Sequence, residues 1–473
     1  MAAVDGRVPL AWGIGTRDGS MSKDSKTGNM VLQNTDSGLW RQKRPGLQIW
    51  QQSAAGPGQG LFIYNELLYS ISGFGSLSLI TPVTGGFPSG ASIPLSTGLG
   101  FYKAVNPGVS GPAYFTDNIR LYQFNGTASV VGGGSPLNTV SGLAVLDGTM
   151  YMMNKSTIFA SAYNDPTTWP GLNTVGLNTA YGAGVAIVSH MAYIVAFMEL
   201  GTQFFYDAGI SPGAPIAQVQ NGAISIGCAN GDSIAAYEDV LYFLGRDIDA
   251  TMFIGSFNGL TFSRVSSNAI DKILETSIFF NPNSKGAMNG FTTVAHGRPL
   301  YVLNAIAAGV TLVYDILGDL WDYWSTVVGG VEQIFNGVCL LSSTTLNYSF
   351  VQGVTDGIVY ILNPLYMSDN LQPINCFIRT PPGSSGTYAV KFCAAAYLHA
   401  DTAPTTVSVT YSNDDYQTFA VSRTIDLSTQ KKMLVRCGSY RHRSWDLKHT
   451  DITSSFRVGM LETDLVDTGE GNQ

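Results

Sequence analysis

Residues 311–324 read TLVYDILGDLWDYW. The apolar and β-branched run Leu312-Val313-Tyr314 favours an extended strand. Asp315 ends it, Gly318-Asp319 supplies turn chemistry, and Trp321 and Trp324 follow on the return. The stretch reads as a β-hairpin whose tryptophans pack in the second strand or its flank.

Variants of it recur along the chain. A short apolar strand, a turn and a strand carrying Tyr or Phe appear at 61–73, 112–126, 143–162, 185–209, 234–259, 292–324 and 346–363. Aligned on the last aromatic strand, Phe159, Phe205, Phe253, Tyr314 and Tyr360 lie 46, 48, 61 and 46 residues apart. A degenerate β repeat of about 40–50 residues is the signature of propeller blades. Each blade is a small twisted sheet that cannot bury both faces alone. Stacking blades radially buries those faces and leaves only short edges. The expected fold is therefore all-β: a β-propeller of seven blades, with six as the alternative, over residues 49–373. An array of separate β-sandwiches is the competing arrangement.

The flanks read differently. Residues 1–48 contain GTRDGSMSKDSKTGNM (15–30), rich in turn formers and charge, and are expected to form an extended arm. After 373 the strands lengthen, in VKFCAAAYLHA (390–400), TTVSVTYSND (405–414) and MLVRCGSYRHRSWDLKHT (433–450). Residues 374–473 are expected to form a β-sandwich-like domain. The apolar stretch 183–200 carries Ser189, His190 and Glu199 and reads as two short strands around 189–191, not as a membrane span. The opening MAAVDGRVPLAWGIG has neither a long apolar core nor a basic start and is read as no secretory signal.

Composition narrows the function classes. Only 12% of residues are charged, against about a quarter in an average globular chain. Such a surface is uncharged-polar, covered by partners, or both. The net charge of −8 argues against an electrostatic grip on nucleic acid by the whole molecule. The five cysteines form no CxxC pair and read as isolated reduced thiols; the five histidines show no metal-ligand spacing, so no metal site or cofactor is expected.

Candidate chemistry is sparse. Gly209-Ile210-Ser211-Pro212-Gly213 matches GxSxG, but Pro212 and Pro215 leave no room for the helix a nucleophile elbow needs. Asp117, Asp147, Asp207, Asp239, Asp315 and Asp356 sit at turn positions, where Asp caps backbone amides. No acid/base pair stands out, and no catalytic residue is nominated. SNDDYQTF (412–419) resembles an Asp-box, with Tyr416 at the usual Gly and Phe419 at the usual Trp. Ser412, Asp414, Thr418 and Phe419 are read as a structural hairpin.

One charge feature is unusual. Residues 431–450 carry Lys431, Lys432, Arg436, Arg441, Arg443 and Lys448 against Asp446, a net of +5, which leaves −13 on the rest of a chain totalling −8. Strand alternation would put Arg441, Arg443 and Trp445 on one face. With Trp40, Arg41, Lys43 and Arg44 at the end of the arm, these residues form the candidate assembly interface. A contact with protein, a contact with DNA and a solvated strand face are the alternatives.

The order of these pieces resembles the tail hub, or packaged-DNA stabilisation, proteins of short-tailed bacteriophages. The resemblance rests on Arg44-Pro45-Gly46-Leu47 before the first blade, YIVAFMELGTQFFYDAG (193–209), NGAISIGCANGDSIAAYEDVLYFLG (221–245), SRVSSNAIDKIL (263–274) as a helix after a blade strand, TLVYDILGDLWDYW, and TYSNDDYQTF followed by CGSYRHRSWDLKHT. It implies a virion protein without catalytic activity, assembled in the bacterial cytoplasm and placed in the tail. It further implies a homohexameric ring below the portal and its adaptor protein, continuing the channel for double-stranded DNA. Tail spike, fibre or plug proteins would be the distal partners. A carbohydrate-binding or glycosidase-like propeller is the alternative, and would show a cleft lined by aromatics and acids.

Overall fold

In the computed structural model, residues 310–315 and 320–323 are the last two strands of a blade that begins with 289–295 and 298–305. Leu312 pairs with Tyr323 and Tyr314 with Trp321. Asp315 accepts hydrogen bonds from the Leu317 and Gly318 amides at 3.1 and 2.8 Å and is held by Arg298 at 2.7 Å. Asp319 takes a left-handed φ of 49° and accepts from the Tyr314 hydroxyl at 3.0 Å. The Trp321 indole donates to the Val265 carbonyl of the preceding blade at 3.0 Å. Trp324 leaves the strand and packs edge-on to Phe335, with centroids 5.1 Å apart. The hairpin thus seals its own turn and ties itself to a neighbour.

The described residues are 6–15, 25–36, 38–52, 56–74, 77–85, 93–95, 101–105, 111–132, 134–277, 286–343 and 348–467. Within them, seven such sheets follow in chain order, at 58–95, 103–130, 144–176, 184–224, 227–264, 289–323 and 339–363. The last has only three strands of its own. Its fourth is Gly46–Gln51, which pairs antiparallel with 359–363. Ring closure shows in the packing. One apolar cluster joins blades one and two through Phe62 and Phe115. The next link two to three, three to four, four to five and five to six. Val302 and Tyr360 belong to the cluster between six and seven, and Leu68 and Phe350 to the one that returns from seven to one. Blade-to-blade burial therefore runs round without a break, and seven, not six, is the blade number.

Glycine permits the closest approaches. A Cβ on Gly290, in the first strand of blade six, would collide with the backbone carbonyl of Ser233 in blade five. Gly290→Ala is expected to destabilise the protein by about 1–3 kcal/mol, as overpacked sites do; urea unfolding midpoints at equal m-value would measure it.

The segment 184–190 and 193–198 is an antiparallel hairpin turning at Met191, as read from sequence. No helix among the described residues is long and apolar enough to cross a membrane. The one α-helix among them, Asn268–Ser277, follows the strand 261–264 and buries Ile270, Ile273 and Leu274 between blades five and six.

The expected extended arm is a correction. Residues 7–9, 26–28, 30–35 and 38–43 are strands built into the C-terminal sandwich; 1–5 and 16–24 lie outside the described residues. One sandwich sheet runs 30–35, 38–43, 457–467, 391–400 and 433–440, with 7–9 paired to 457–467. The other runs 26–28, 376–379, 444–449, 406–412 and 423–426 and continues directly from blade six, because Gly28 pairs with Tyr323. Between the two sheets lie Met30, Ile378, Leu398, Val409, Trp445 and Phe456. Residues 30–35 and 38–43 pair with each other as a local hairpin, whereas 7–9 and 26–28 are short strands completed by distant partners, such as Ile378 opposite Thr27.

Candidate functional site

The basic residues chosen from sequence divide into two groups. Arg41, Lys43, Arg44, Lys432, Arg443 and Trp445 are buried, so they form no free surface. Trp40 is half-buried under the Arg457 guanidinium, which sits 5.1 Å from its ring. Lys431, Arg436, Arg441 and Lys448 are exposed.

Three of the buried residues, Arg41, Lys43 and Arg44, form the joint between propeller and sandwich. Arg41 pairs with Asp322 on the outer strand of blade six, and its other nitrogen donates to the Trp12 carbonyl. Thr27 also donates to Asp322. Burial, opposed by Arg41, pushes the Asp322 carboxyl up to about 6. Arg44 is fully enclosed. Its Nη1 donates to Asp369 and to the Pro45 carbonyl, both at 2.9 Å. Its Nη2 donates to Asp369 and to the Ser325 carbonyl, and Nε to Asn29 at 2.9 Å. All five donors are used. The guanidinium also faces Phe335 at 4.9 Å. Lys43 donates to the Asp451 carbonyl, and burial lowers its pKa. Residues 40–47 therefore tie the sandwich to blades six and seven at the point where the chain enters the closing strand.

Of the expected shared face, Arg443 and Trp445 stay together, 5.2 Å apart, but are buried, and Arg441 is not with them. Arg441 lies in the turn before the strand 444–449, exposed, with a 3.3 Å bond to the Tyr388 carbonyl. Arg443 turns inward, its guanidinium 3.8 Å from the Tyr411 ring and 4.1 Å from Tyr440. Lys432 reaches Thr402 at 3.1 Å. Arg436 sits in a β-bulge with φ 56°, while Lys448 belongs to the other sheet. The alternation argument failed because the strand begins after Arg443, not before Arg441.

In the Asp-box-like hairpin, Ser412 donates to Asp414 at 2.7 Å, and Asp414 accepts from the Thr418 amide at 2.9 Å and from its hydroxyl. Those bonds, Thr418 first, hold the Asp414 carboxyl down to about 2. The buried aromatic is Tyr416, bonded to the Thr380 carbonyl at 2.8 Å; Phe419 is 39% exposed, under Arg379. Four of the six turn aspartates behave alike. Asp117, Asp207, Asp315 and Asp356 each accept from backbone amides.

His449 stacks on Phe456 with centroids 4.7 Å apart and bonds Thr405 at 3.2 Å. Burial lowers its pKa from 6.5 to about 4. The folded state therefore binds fewer protons than the unfolded one between those values, and stability falls as pH drops from 6.5 toward 4. Asp322 acts in the opposite sense between 3.8 and about 6. Comparing the native chain with His449→Gln isolates the histidine. The native chain is expected to lose about 2 kcal/mol more than the variant between pH 7 and 5, measured by urea unfolding.

A groove of about 980 Å3 opens between the loops 161–173 and 208–215 of blades three and four. Asp147, Asp207, Tyr163, Leu172 and Ile210 line it. Ser211 of the GxSxG string is there too, and the lining contains no histidine. No group of three or more His, Cys, Asp or Glu among the described residues is arranged to hold a metal.

With this geometry in hand, a family model for phage stabilisation proteins, described as bacteriophage P22 Gp10, β-propeller, matches residues 36–279. That is just over half of the chain. The chain belongs to this phage stabilisation family. The match begins just before the 38–43 strand, takes in the closing strand, and ends after the helix that follows blade five. Blade six, the three later strands of blade seven and the C-terminal sandwich strands lie beyond it. The sequence resemblance to packaged-DNA stabilisation proteins and the family match agree.

No curated protein sequence matches the chain. Among solved structures, the extracellular domain of a putative hybrid two-component system from B. thetaiotaomicron is similar at TM-score 0.43 and 10% identity, over 67% of this chain and 39% of that one. The chain thus spans about two-fifths of that protein. The WD40 domain of Toxoplasma gondii coronin gives 0.39 and 9%, covering 70% and 85%. The dihydro-heme d1 dehydrogenase NirN gives 0.38 and 14%, covering 80% and 76%.

Proposed function

We propose that this phage stabilisation protein is a structural tail hub, without enzymatic activity, that forms a homohexameric ring below the portal and its adaptor. The ring continues the DNA channel, retains packaged genome and offers docking surfaces to spike, fibre or plug proteins. The virion tail is its place, and the bacterial cytoplasm its site of assembly. Family membership over 36–279 is the observation that carries this reading. The low charge supports it, since a surface with few ions loses little on being covered by partners. A net acidic wall would let DNA slide, whereas a basic lining would hold it. The domain division proposed is a propeller over 46–363 joined to a sandwich made from both ends of the chain.

The test is retention. Filled heads made without this protein are expected to lose DNA to nuclease, and added purified protein to restore protection. Heads that stay full without it would overturn the reading.

The groove beside Asp147, Asp207 and Tyr163 favours one second reading, a glycan-binding propeller, because an aromatic and two acids meet on one face. Binding on a glycan array that disappears in Asp147→Asn/Asp207→Asn would support it; no binding would remove it.

A further inference from the structure

Charge is divided between two sides of the molecule. Residues 121–245, from blade two into blade five, carry seven carboxylates and one cation, Lys155, a net of −6. Lys155 sits in the turn between the second and third strands of blade three. The groove of about 980 Å3 opens on the opposite face, where Asp147 turns a first strand into a second and the loops 161–173 and 208–215 join third strands to fourth. Alternate turns of an antiparallel meander lie at opposite ends, so Lys155 does not offset the groove's charge. Asp147 and Asp207 are exposed there, and no lysine, arginine or histidine lines it. Tyr163 and Leu172 stand 73% and 78% exposed beside them.

The opposite sign gathers on the edge of the sandwich. The strand 433–440 is the last of its sheet. Lys431 precedes it, Arg436 lies in its bulge and Arg441 follows it, all three exposed. Residues 427–445 contain no carboxylate to neutralise them. Val435 on this strand and Phe392 and Tyr397 on the next are exposed as well. Arg423 donates to the Val435 and Arg436 carbonyls, which caps the edge against addition of another strand. The edge therefore offers side chains, cations among apolar groups, and the groove offers carboxylates among apolar groups.

The two patches lie on different sides of the chain. The sandwich continues blade six and is fixed to the closing strand of blade seven through Arg44 and Asp369. The groove lies between blades three and four, half a turn round a ring of seven from blade seven. A ring built head to tail needs two complementary patches placed apart on each copy.

We propose that the edge 431–441 of one copy docks in the groove between blades three and four of the next, with its cations against Asp147 and Asp207. The assignment rests on the ring proposed above and names the surfaces that build it. Opposite charge steers the copies together and fixes their register, while the exposed apolar side chains supply the area to bury.

The test supplies full-length variants to filled heads made without the protein and reads protection of DNA from nuclease. Asp147→Lys/Asp207→Lys has a basic groove and a basic edge. Lys431→Glu/Arg436→Glu/Arg441→Glu has an acidic groove and an acidic edge. Either alone sets like charges together, so the protein needed for half protection should rise at least about tenfold. Mixed in equal amounts, the two can alternate round an even-numbered ring with opposite charges at every contact, and most of the native protection should return. Urea unfolding checks that each variant folds. Should one not, Asp147→Asn/Asp207→Asn or Lys431→Gln/Arg436→Gln/Arg441→Gln takes its place and should weaken protection severalfold. Single variants as effective as the native chain, or a mixture as inert as its parts, would overturn the docking and leave the hub reading standing. An inert groove variant beside a fully effective edge variant would give the groove to another virion protein and overturn it too. Native protein that protects nothing would overturn the hub reading itself, and the docking with it.

Discussion

Arg44→Met is expected to cost about 3–5 kcal/mol of stability, because it strands the buried Asp369 carboxylate without its partner. The loss exceeds that of a surface ion pair, since Asp369 also accepts the Leu47 amide at 3.1 Å and so anchors the start of the closing strand. Arg44→Met/Asp369→Leu should recover most of the loss, as paired removal of buried charges does elsewhere. Denaturant unfolding of the two singles and the double would form the cycle. A single variant as stable as the native chain would mean that the junction does not depend on this pair.

Removing residues 1–51 should do more. It takes away the fourth strand of blade seven, the 26–28 bridge to blade six, and the strands 30–35 and 38–43. The edge strand 359–363, with Val359 and Ile361 in the seven-to-one cluster, would then be open. Exposed apolar edges pair with other chains. The truncated chain is expected to aggregate, with loss of the cooperative unfolding transition. Removal of residues 1–25 alone, which leaves all those strands in place, should keep a cooperative transition. A monomeric, cooperatively unfolding chain lacking 1–51 would refute closure by the N-terminal strand.

What was legible in the sequence follows from locality. Each blade is made of hairpins whose strands are near neighbours in the chain, so the aromatic and turn pattern of TLVYDILGDLWDYW repeats with every sheet. Closure is not local. Gly46–Gln51 pairs with residues over 300 positions later, and only five of its residues precede Gln51. The buried cations misled for a related reason. Arg41 and Arg44 look like surface charge because their partners, Asp322 and Asp369, are far away in sequence. The turn aspartates were readable because Asp caps amides two or three residues on, within the hairpin itself.

Cryo-electron microscopy of the virion, with the C-terminal domain marked by a bound antibody fragment, tests the proposed role most directly. The expected result is a ring of six copies at the vertex below the portal, around the DNA channel. Density at the distal tips, or no copy of the chain in the particle, would contradict it.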